Sequence, residues 1–344
     1  MVKIDNNQTV LVTGATGYVA GWIIKRLLDE GITVHAAVRD PDNRDKIKHL
    51  DDLARHAPGK LKFFKADLLE QGSYREAMEG CGIVFHTASP FTLNVKDPQK
   101  ELVDPALLGT RNVLLTANSI AAVTRVVLTS SCAAIYGDNA DMIDTLDGIF
   151  TEQVWNGSSS LTHHPYSFSK TVAEREAWNL ANSQSRWQLV VVNPSLVMGP
   201  GINAAATSES FNLVKQLGNG KMKSGVPDIG LGMVDVRDLA EAHFRAGFWP
   251  DANGRNIISA HNTSFPELAR ALLPEFDAYP VPRRILPKWL VWLVAPLVDK
   301  STTRHYVARN VGYPWAADHG KSRHVVRVVF DVFDQSIETI FHAR

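Results

Sequence analysis

The stretch TVLVTGATGYVAG, residues 9–21, decides the fold of this chain. It begins with a short apolar run, Val10 to Val12, typical of a strand that is buried on both faces of a sheet. Glycines follow, and apolar residues then recur at helical spacing from Trp22 to Leu28, opposite a charged face. A strand, a glycine-rich turn and a helix in this order aim backbone N–H groups and a helix N-terminus at one point, which suits a pyrophosphate.

The spacing of the small residues in this turn indicates a dinucleotide site. Gly14 permits the tight turn, Gly17 lets a phosphate approach the backbone, and Ala20 lets the helix lie close to the strand. The first two glycines are three residues apart, which departs from the GxGxxG form of the fingerprint. An ordinary glycine-rich turn is the competing interpretation, and the flanking strand and helix favour the nucleotide site.

Composition and charge limit the class of protein. The 344 residues are 45% hydrophobic and 21% charged, as in a globular protein with room for two lobes. Lys plus Arg and Asp plus Glu both total 36, so nothing favours nucleic acid or a membrane as partner. The two cysteines, Cys81 and Cys132, show no metal-ligand spacing, and we expect neither a disulfide framework nor a metal site.

Two apolar features bear on localisation. Residues 1–7 lack the apolar core of a signal peptide. The apolar run over 289–298 is too short to span a bilayer and is interrupted by Pro296. We therefore expect a cytoplasmic protein.

The rest of the chain alternates strands with helices and predicts an α/β fold with a Rossmann-type, doubly wound parallel sheet. Ligands bind beyond the carboxyl ends of the strands in such sheets. No linker divides the chain, so we expect a smaller C-terminal substrate lobe that is interleaved with the nucleotide domain. The predicted strands are 33–38, 60–68, 83–89, 125–131 and 189–194, the nucleotide-binding domain is 1–194 and 231–263, and the substrate-binding lobe is 195–230 and 264–344.

The end of the second predicted strand favours NADP(H) over NAD(H). An acidic residue here would hold the ribose 2′-hydroxyl of NAD, whereas an arginine holds the 2′-phosphate of NADP. Arg39 comes first after the strand, and Arg44 and Lys46 follow it. Asp40 leaves a ribose contact open, and a solvated loop charge is the alternative for Arg39. We expect Asp67, at the end of the third strand, to accept a hydrogen bond from the adenine amine.

A second pattern indicates the chemistry. The stretch HPYSFSK, residues 164–170, opens a helix at Pro165. Tyr166 and Lys170 are four residues apart and share one helix face. A nearby cation favours the phenolate, which makes Tyr166 a usable proton donor and acceptor. Alone, this spacing also describes a surface pair; after a nucleotide fingerprint and a strand ending in Thr-Ser-Ser at 129–131, it favours a hydride-transfer site.

The residues that carry a family resemblance are Gly14, Gly17, Ala20, Ser131, Tyr166 and Lys170. With them the chain resembles an extended short-chain dehydrogenase/reductase over nearly its whole length, with the TGxxGxx(G/A) form of the turn. The motifs VFHTASPF, VVLTSSCAAIYG, YSFSK and VDVRDLAEAH are similar to those of dihydroflavonol reductase, cinnamoyl-CoA reductase and microbial aldehyde reductases.

The resemblance implies a mechanism. Ser131 hydrogen-bonds the carbonyl oxygen, Tyr166 donates the proton, and Lys170 holds the nicotinamide ribose while hydride passes from the nicotinamide to the carbonyl carbon. For Ser131, capping of the strand end is the competing interpretation. The expected cofactor contacts are Thr13, Gly14, Thr16, Gly17, Tyr18, Val19, Arg39, Lys46, Asp67, Leu68, Thr87, Ala88, Ser89, Thr129, Ser130, Tyr166, Lys170, Pro194, Ser195 and Val197.

Substrate contacts are harder to predict. Ordinary core packing competes with a pocket for every large apolar candidate. Tyr136 stands where plant dihydroflavonol reductases carry Asn, so we expect no true dihydroflavonol substrate. Residues 102–110 lack the Asn-Val pair of the family's proton relay, and His86, His163 and His164 lack partners at metal-ligand spacing. The candidates are Phe91, Ser131, Tyr136, Met198 and Phe211.

These patterns predict reversible, NADPH-dependent reduction of an aldehyde or ketone. A hydroxysteroid dehydrogenase and a nucleotide-sugar epimerase are alternatives on the same fold, and Arg39 argues against the epimerase. A non-catalytic dinucleotide sensor is the remaining alternative, against which the retained Tyr166 and Lys170 argue. We expect a small carbonyl or alcohol substrate, no nucleic-acid or membrane partner, and a monomer or homodimer.

Overall fold

A computed structural model describes residues 8–89, 95–203, 208–299 and 302–323. The strands are β1 (Thr9–Thr13), β2 (Thr33–Val38), β3 (Lys60–Lys65), β4 (Cys81–His86), β5 (Arg125–Thr129), β6 (Gln188–Pro194), β7 (Leu196–Met198), β8 (Val226–Pro227), β9 (Gly230–Asp235), β10 (Gly254–Ile258), β11 (His261–Ser264) and β12 (Ile285–Leu286). The α-helices are α1 (Tyr18–Asp29), α2 (Arg44–Arg55), α3 (Arg75–Met78), α4 (Asp104–Ser119), α5 (Pro165–Asn182), α6 (Glu209–Gly218), α7 (Val236–Phe248), α8 (Phe265–Phe276), α9 (Lys288–Val298) and α10 (Arg304–Asn310).

The large sheet is parallel throughout and has the order β10-β6-β5-β4-β1-β2-β3. This confirms the predicted Rossmann-type fold. Three strands end earlier than predicted, at Lys65, His86 and Thr129. The small and polar residues that follow these strand ends lie in loops at the carboxyl edge of the sheet. The backbone there no longer forms the hydrogen bonds of the parallel sheet.

The alternation of side chains across β1 explains why the sheet is covered on both faces. Val10 and Val12 contribute to one hydrophobic core, together with Ile23 and Leu27 of α1. Leu11 points to the other face and joins a second core that includes Val113 of α4. Each fully buried aliphatic side chain contributes about 1.5–3 kcal/mol to folding, so the two cores fix β1 at the centre of three layers.

A second, smaller sheet has the order β11-β9-β7; β7 lies in the predicted lobe, whereas most of β11 lies in the predicted nucleotide domain. Its core contains Met198, Leu231, Met233 and Leu272. β9 is hydrogen-bonded in this sheet, although the predicted boundary at residue 231 assigned most of it to the nucleotide domain. α7 and β10 then return to the large sheet, as expected. The domain boundaries themselves stay a prediction.

Two side chains of α1 hold the chain segment after β7. The Tyr18 hydroxyl donates to the Gly199 carbonyl and the Trp22 indole donates to the Pro200 carbonyl, both at 2.8 Å. The Tyr18 ring also packs on Phe211, with ring centres 4.9 Å apart. The first helix of the nucleotide domain is therefore fastened to the smaller lobe. Among the described helices, none combines the length and apolarity that crossing a membrane requires.

Candidate active site

The glycine-rich turn between β1 and α1 is shaped for a close backbone approach. Gly14 has a φ of +62°, which favours glycine, and a Cβ atom there would lie 2.9 Å from the Ala88 Cα atom. Gly17 is the N-cap of α1, so it offers no side-chain acceptor, and the first turn contains no acidic residue. The backbone donors and the positive end of α1 are thus left for an anion such as a pyrophosphate.

A buried clamp fixes this turn against the end of β4. The Thr13 hydroxyl accepts from the backbone N–H groups of Thr87 (3.1 Å) and Ala88 (3.0 Å). The Thr87 hydroxyl donates to the Thr13 carbonyl at 2.5 Å. Thr13 was expected to contact the cofactor, but it is fully buried. Its side chain instead holds two strand ends together.

The charges predicted to hold a 2′-phosphate lie at the end of β2. Arg39 and Lys46 are both exposed. Among the ion pairs of the described residues, Arg44 is joined to Asp51 at 3.6 Å, whereas Arg39 takes part in none. Arg39 and Lys46 therefore remain available to an anionic group, while Arg44 is partly neutralised.

The turn after β3 is held by a residue that sequence reasoning missed. Asn112 of α4 donates to the Leu68 carbonyl at 3.1 Å and accepts from the Gly72 N–H at 2.9 Å. Asp67, the predicted adenine contact, accepts from the Leu69 N–H at 2.8 Å with one carboxylate oxygen. Asn112 comes shortly after the pair Gly109-Thr110 of α4. This position relative to the Gly-Thr pair is the one feature of the sequence that could have indicated its role.

The three predicted catalytic side chains come from two neighbouring elements. Ser131 follows β5, and its hydroxyl accepts from the Ala133 N–H at 3.1 Å, so it does cap the turn after the strand. Tyr166, in the first turn of α5, is 42% exposed. Lys170 is buried, with its Nζ atom 5.7 Å from the centre of the Tyr166 ring and 2.9 Å from the Ser89 hydroxyl oxygen.

These side chains and the glycine-rich turn line one cavity of about 610 Å³. The predicted cofactor contacts on its wall are Gly14, Gly17, Tyr18, Val19, Thr87, Thr129, Ser130, Tyr166, Lys170, Pro194, Ser195 and Val197. The remaining predicted contacts lie outside the cavity: Thr13, Thr16, Ala88 and Ser89 near the turn, Arg39, Asp67 and Leu68 after β2 and β3, and Lys46 in α2. This division suits an elongated ligand that runs along the carboxyl edge of the sheet.

The predicted substrate contacts divide. Ser131 and Tyr136 line the cavity. Met198 is fully buried in the core of the smaller sheet, and Phe211 is partly buried and packs on the Tyr18 ring; neither lines the cavity. Phe91 lies outside the described residues. Sequence reasoning missed several cavity residues, which come from distant segments: Asn139, His164, Leu213, Ile229, Leu231, Phe265, Tyr306 and Asn310.

A buried carboxylate, Asp138, gathers the two histidines for which the sequence offered no partner. Its oxygens lie 2.9 Å from His163 Nε2 and 3.3 Å from His164 Nε2. Arg309 and Asn310 of α10 also donate to it, at 2.8 and 2.6 Å. Burial opposes ionisation, but these donors hold the pKa of Asp138 well below its usual range. The three possible metal ligands thus form part of a network in which a guanidinium already neutralises the carboxylate.

A second cleft, of about 1080 Å³, lies between residues 141–158 and 316–319. It is larger than the first cavity, but Ser131, Tyr166 and Lys170 do not line it. Convergent polar groups identify a functional site better than volume does. The smaller cavity is therefore the candidate active site.

Comparisons with known proteins agree with this geometry. The pattern of the NAD dependent epimerase/dehydratase family matches residues 10–258. The chain is 37% identical over 287 residues to a cinnamoyl-CoA reductase of Medicago truncatula, covering 83% of this chain and 86% of that one. It is 32% identical over 285 residues to dihydroflavonol 4-reductase of Gerbera hybrida, covering 81% and 76%. The structure of Gre2 from Candida albicans in complex with NADPH aligns with a TM-score of 0.77 at 28% identity, covering 98% and 99%.

Proposed function

The chain belongs to the NAD dependent epimerase/dehydratase family, the extended short-chain dehydrogenases/reductases, and is an NAD(P)-dependent reductase of carbonyl-type substrates; we propose that it reduces an aldehyde or ketone with NADPH and that Tyr166 donates the proton. One observation carries the proposal. Tyr166, Lys170 and Ser131 share a cavity with the turn that suits a pyrophosphate. The carbonyl carbon and the reduced nicotinamide would have to meet in that cavity.

The residues around the turn fit a dinucleotide. Gly14 has the positive φ that the tight turn requires, and the N-terminus of α1, where Gly17 is the N-cap, favours negative charge. Pro194 to Val197 line the cavity beyond them, where the family places the nicotinamide. When bound, the nicotinamide supplies the hydride.

The side chains of the chain supply the proton and hold the substrate oxygen. The Ser131 hydroxyl accepts from the Ala133 N–H, which leaves its own proton to donate to a carbonyl oxygen. The Tyr166 hydroxyl donates to the same oxygen as negative charge develops on it. The Lys170 ammonium has three N–H donors, of which one reaches Ser89. The others are available to the nicotinamide ribose and to the space beside Tyr166.

The charge at the end of β2 supports NADPH over NADH. Arg39, which takes part in no ion pair with the described part of the chain, and Lys46 on the next helix suit a 2′-phosphate. Asp40 follows Arg39, and one of its carboxylate oxygens accepts from the Asp42 N–H within its own loop at 3.0 Å. The Candida Gre2 structure, which is similar to this chain, is a complex with NADPH. The same charges disfavour a nucleotide-sugar epimerase, which would bind NAD.

The cavity wall favours a largely apolar substrate with a few hydrogen-bonding groups. Tyr136, Leu213 and Phe265 supply apolar surface, and His164 and Tyr306 supply polar edges. At about 610 Å³, the space must hold the nicotinamide as well. An aryl or medium-sized aliphatic carbonyl compound fits these limits.

The test is Tyr166→Phe, assayed by NADPH absorbance over small aliphatic aldehydes, aryl aldehydes, α-keto esters, ketosteroids and flavonoids. We expect turnover of the best substrate to fall by about 10²–10⁴-fold, with NADPH affinity near that of the wild type. Tyr279→Phe removes the same hydroxyl from an exposed ring outside the cavity and serves as the matched control. Undiminished turnover in Tyr166→Phe would remove Tyr166 from the mechanism.

A further inference from the structure

Behind the candidate catalytic side chains lies a buried carboxylate, Glu174. It follows Tyr166 and Lys170 on α5 at intervals of four residues, so the three side chains project from the same face of the helix. The Glu174 side chain is fully buried. A carboxylate in such a place is costly unless each oxygen has partners.

Glu174 is fully partnered, and its partners come from three strands of the large sheet. One oxygen accepts from the Ser130 hydroxyl at 2.5 Å and from the Asn193 amide at 2.7 Å. The other accepts from Arg255 Nε at 2.5 Å. Ser130 follows β5, Asn193 lies in β6 and Arg255 lies in β10, so one carboxylate joins α5 to all three strands.

The guanidinium of Arg255 neutralises Glu174 and is itself fixed. Three of its four remaining N–H groups donate to the carbonyls of Glu152, Val154 and Ala134. Its Cζ atom lies 3.8 Å from the centre of the Trp155 ring. Charge-assisted hydrogen bonds in a buried network of this kind permit little movement of their members.

The network ends on both sides of Ser131. Ser130 precedes it in the chain, and the Asn193 amide that reaches Glu174 also donates to the Ser131 carbonyl at 3.2 Å. The residue before Ser131 and the carbonyl group of Ser131 are therefore both linked by hydrogen bonds to Glu174. Glu174 lies on the helix that also carries Tyr166 and Lys170. The distance between the serine hydroxyl and the phenol therefore depends on a carboxylate that touches neither.

We propose that Glu174 is a positioning residue, which sets the placement of Ser131 relative to Tyr166 through Ser130 and Asn193, with Arg255 as its counter-ion. The proposal rests on the proposed function, because it assigns Glu174 to the reaction of Tyr166 and Ser131. Its consequence is specific. Loss of the network slows the chemical step in a protein that still folds and binds NADPH.

The test compares Glu174→Gln and Ser130→Ala with Glu176→Gln. Glu176 lies on the same helix and pairs with Arg111 at 2.6 Å, so its substitution removes an equal charge without touching the network. The rate is expressed as kcat per NADPH-binding site, which removes the effect of misfolded protein. A deuterated NADPH reports whether hydride transfer has become slower.

We expect Ser130→Ala and Glu174→Gln to lower kcat per site by about tenfold to a hundredfold, since a misplacement of about 1 Å has effects of that size. KM for the carbonyl substrate should change little, the isotope effect on kcat should rise, and Glu176→Gln should match the wild type. Should Glu174→Gln not fold, Ser130→Ala decides, because it removes one donor and leaves the Glu174–Arg255 pair intact.

Suppose that the folded Glu174→Gln and Ser130→Ala variants keep the wild-type kcat per site, while Tyr166→Phe loses activity. This result would contradict the role of Glu174 and leave the proposed function intact. Full turnover in Tyr166→Phe would instead contradict the proposed function itself, on which the role of Glu174 rests. A lower number of NADPH sites with unchanged kcat per site would identify Glu174 as a folding residue only, and would also contradict the proposal.

Discussion

Gly14 and Ala88 lie so close that a Cβ atom at Gly14 would come within 2.9 Å of the Ala88 Cα atom. The two residues belong to the loops after β1 and β4, so the glycine-rich turn packs directly against the loop after β4. We predict that Gly14→Ala weakens NADPH binding by at least about tenfold and lowers the free energy of unfolding by about 1–3 kcal/mol, because it adds a clash at a positive φ. Titration of NADPH fluorescence and denaturant unfolding measure the two effects.

The matched control for Gly14→Ala is Gly157→Ala. A Cβ atom at Gly157 would meet no other atom within 4 Å, and its φ is not positive. Both properties should therefore stay near the wild type in this variant. Equal NADPH affinity in the two variants would contradict the role of Gly14 in shaping the turn.

A second prediction concerns the contact between α1 and the segment after β7. Tyr18→Phe removes the hydroxyl that donates to the Gly199 carbonyl at 2.8 Å. Burial raises the pKa of the Tyr18 phenol, with Asp235 as a second cause, so the hydroxyl stays protonated and able to donate. We expect a loss of about 1–2 kcal/mol in the free energy of unfolding, measured in urea. Tyr279→Phe, at a ring that is 53% exposed, should cost less than Tyr18→Phe; an equal loss there would contradict the assignment.

Local patterns were enough for the main elements of the fold. β2 has the predicted bounds of 33–38, because Pro41 and the charges at Arg39 and Asp40 end the apolar run abruptly. The strands before Thr87 and Ser130 were predicted too long. Small β-compatible residues continue at both ends, but β1, the partner of β4, ends at Thr13, and β4, the partner of β5, ends at His86.

The details of the site depended on contacts between distant segments. Glu174 meets Arg255 across 81 residues, and no local spacing signals such a pair. Met198 lies near the cofactor stretch in sequence, yet its register opposite Asp235 of β9 places it in the core of the smaller sheet. Periodicity identifies apolar residues, but pairing register decides which face they occupy.

A third prediction separates Met198 from substrate binding. Met198 is fully buried and packs among the apolar residues of the smaller lobe. Met198→Ala should lower the free energy of unfolding by about 2–5 kcal/mol through the cavity it leaves. KM for the carbonyl substrate, measured per folded protein, should stay within about twofold of the wild type on the same packing argument. A large increase in KM without loss of stability would return Met198 to the substrate site.

A fourth prediction tests the choice of cofactor. Arg39→Gln removes an exposed charge that forms no ion pair within the described residues, whereas Arg44→Gln removes one that already pairs with Asp51 at 3.6 Å. We expect Arg39→Gln to lower kcat/KM for NADPH by about 10–100-fold, the range of one or two charge-assisted hydrogen bonds. Its kcat/KM for NADH should be unchanged, and Arg44→Gln should have the smaller effect. A wild-type enzyme that strongly preferred NADH would contradict the assignment of Arg39.

The last prediction concerns acid stability and rests on two buried histidines. Burial lowers the pKa of His86 to about 3, with Lys170 as a second cause, and burial lowers the pKa of His243 to about 4, against an ordinary value of 6.5. The His243 Nδ1 atom lies 2.8 Å from the Leu239 carbonyl, so it carries the proton, and Nε2 accepts from the Thr129 hydroxyl at 2.7 Å. The His243 ring is therefore bonded as the neutral form. The His86 Nδ1 atom lies 2.9 Å from the Thr13 hydroxyl, which already accepts two N–H groups and so donates its own proton to this ring, again as the neutral form.

Because the pKa of each histidine is lower in the folded than in the unfolded protein, their contribution to stability is complete above about pH 6.5 and falls by about 1.4 kcal/mol per pH unit per residue as the pH decreases towards 4. Urea unfolding between pH 7 and 4 measures this slope. His243→Gln should reduce the slope by about 1.4 kcal/mol per pH unit on the same linkage. A slope in His243→Gln equal to that of the wild type would mean that the His243 ring is not held neutral in the folded protein, which would contradict its hydrogen bonds to Leu239 and Thr129.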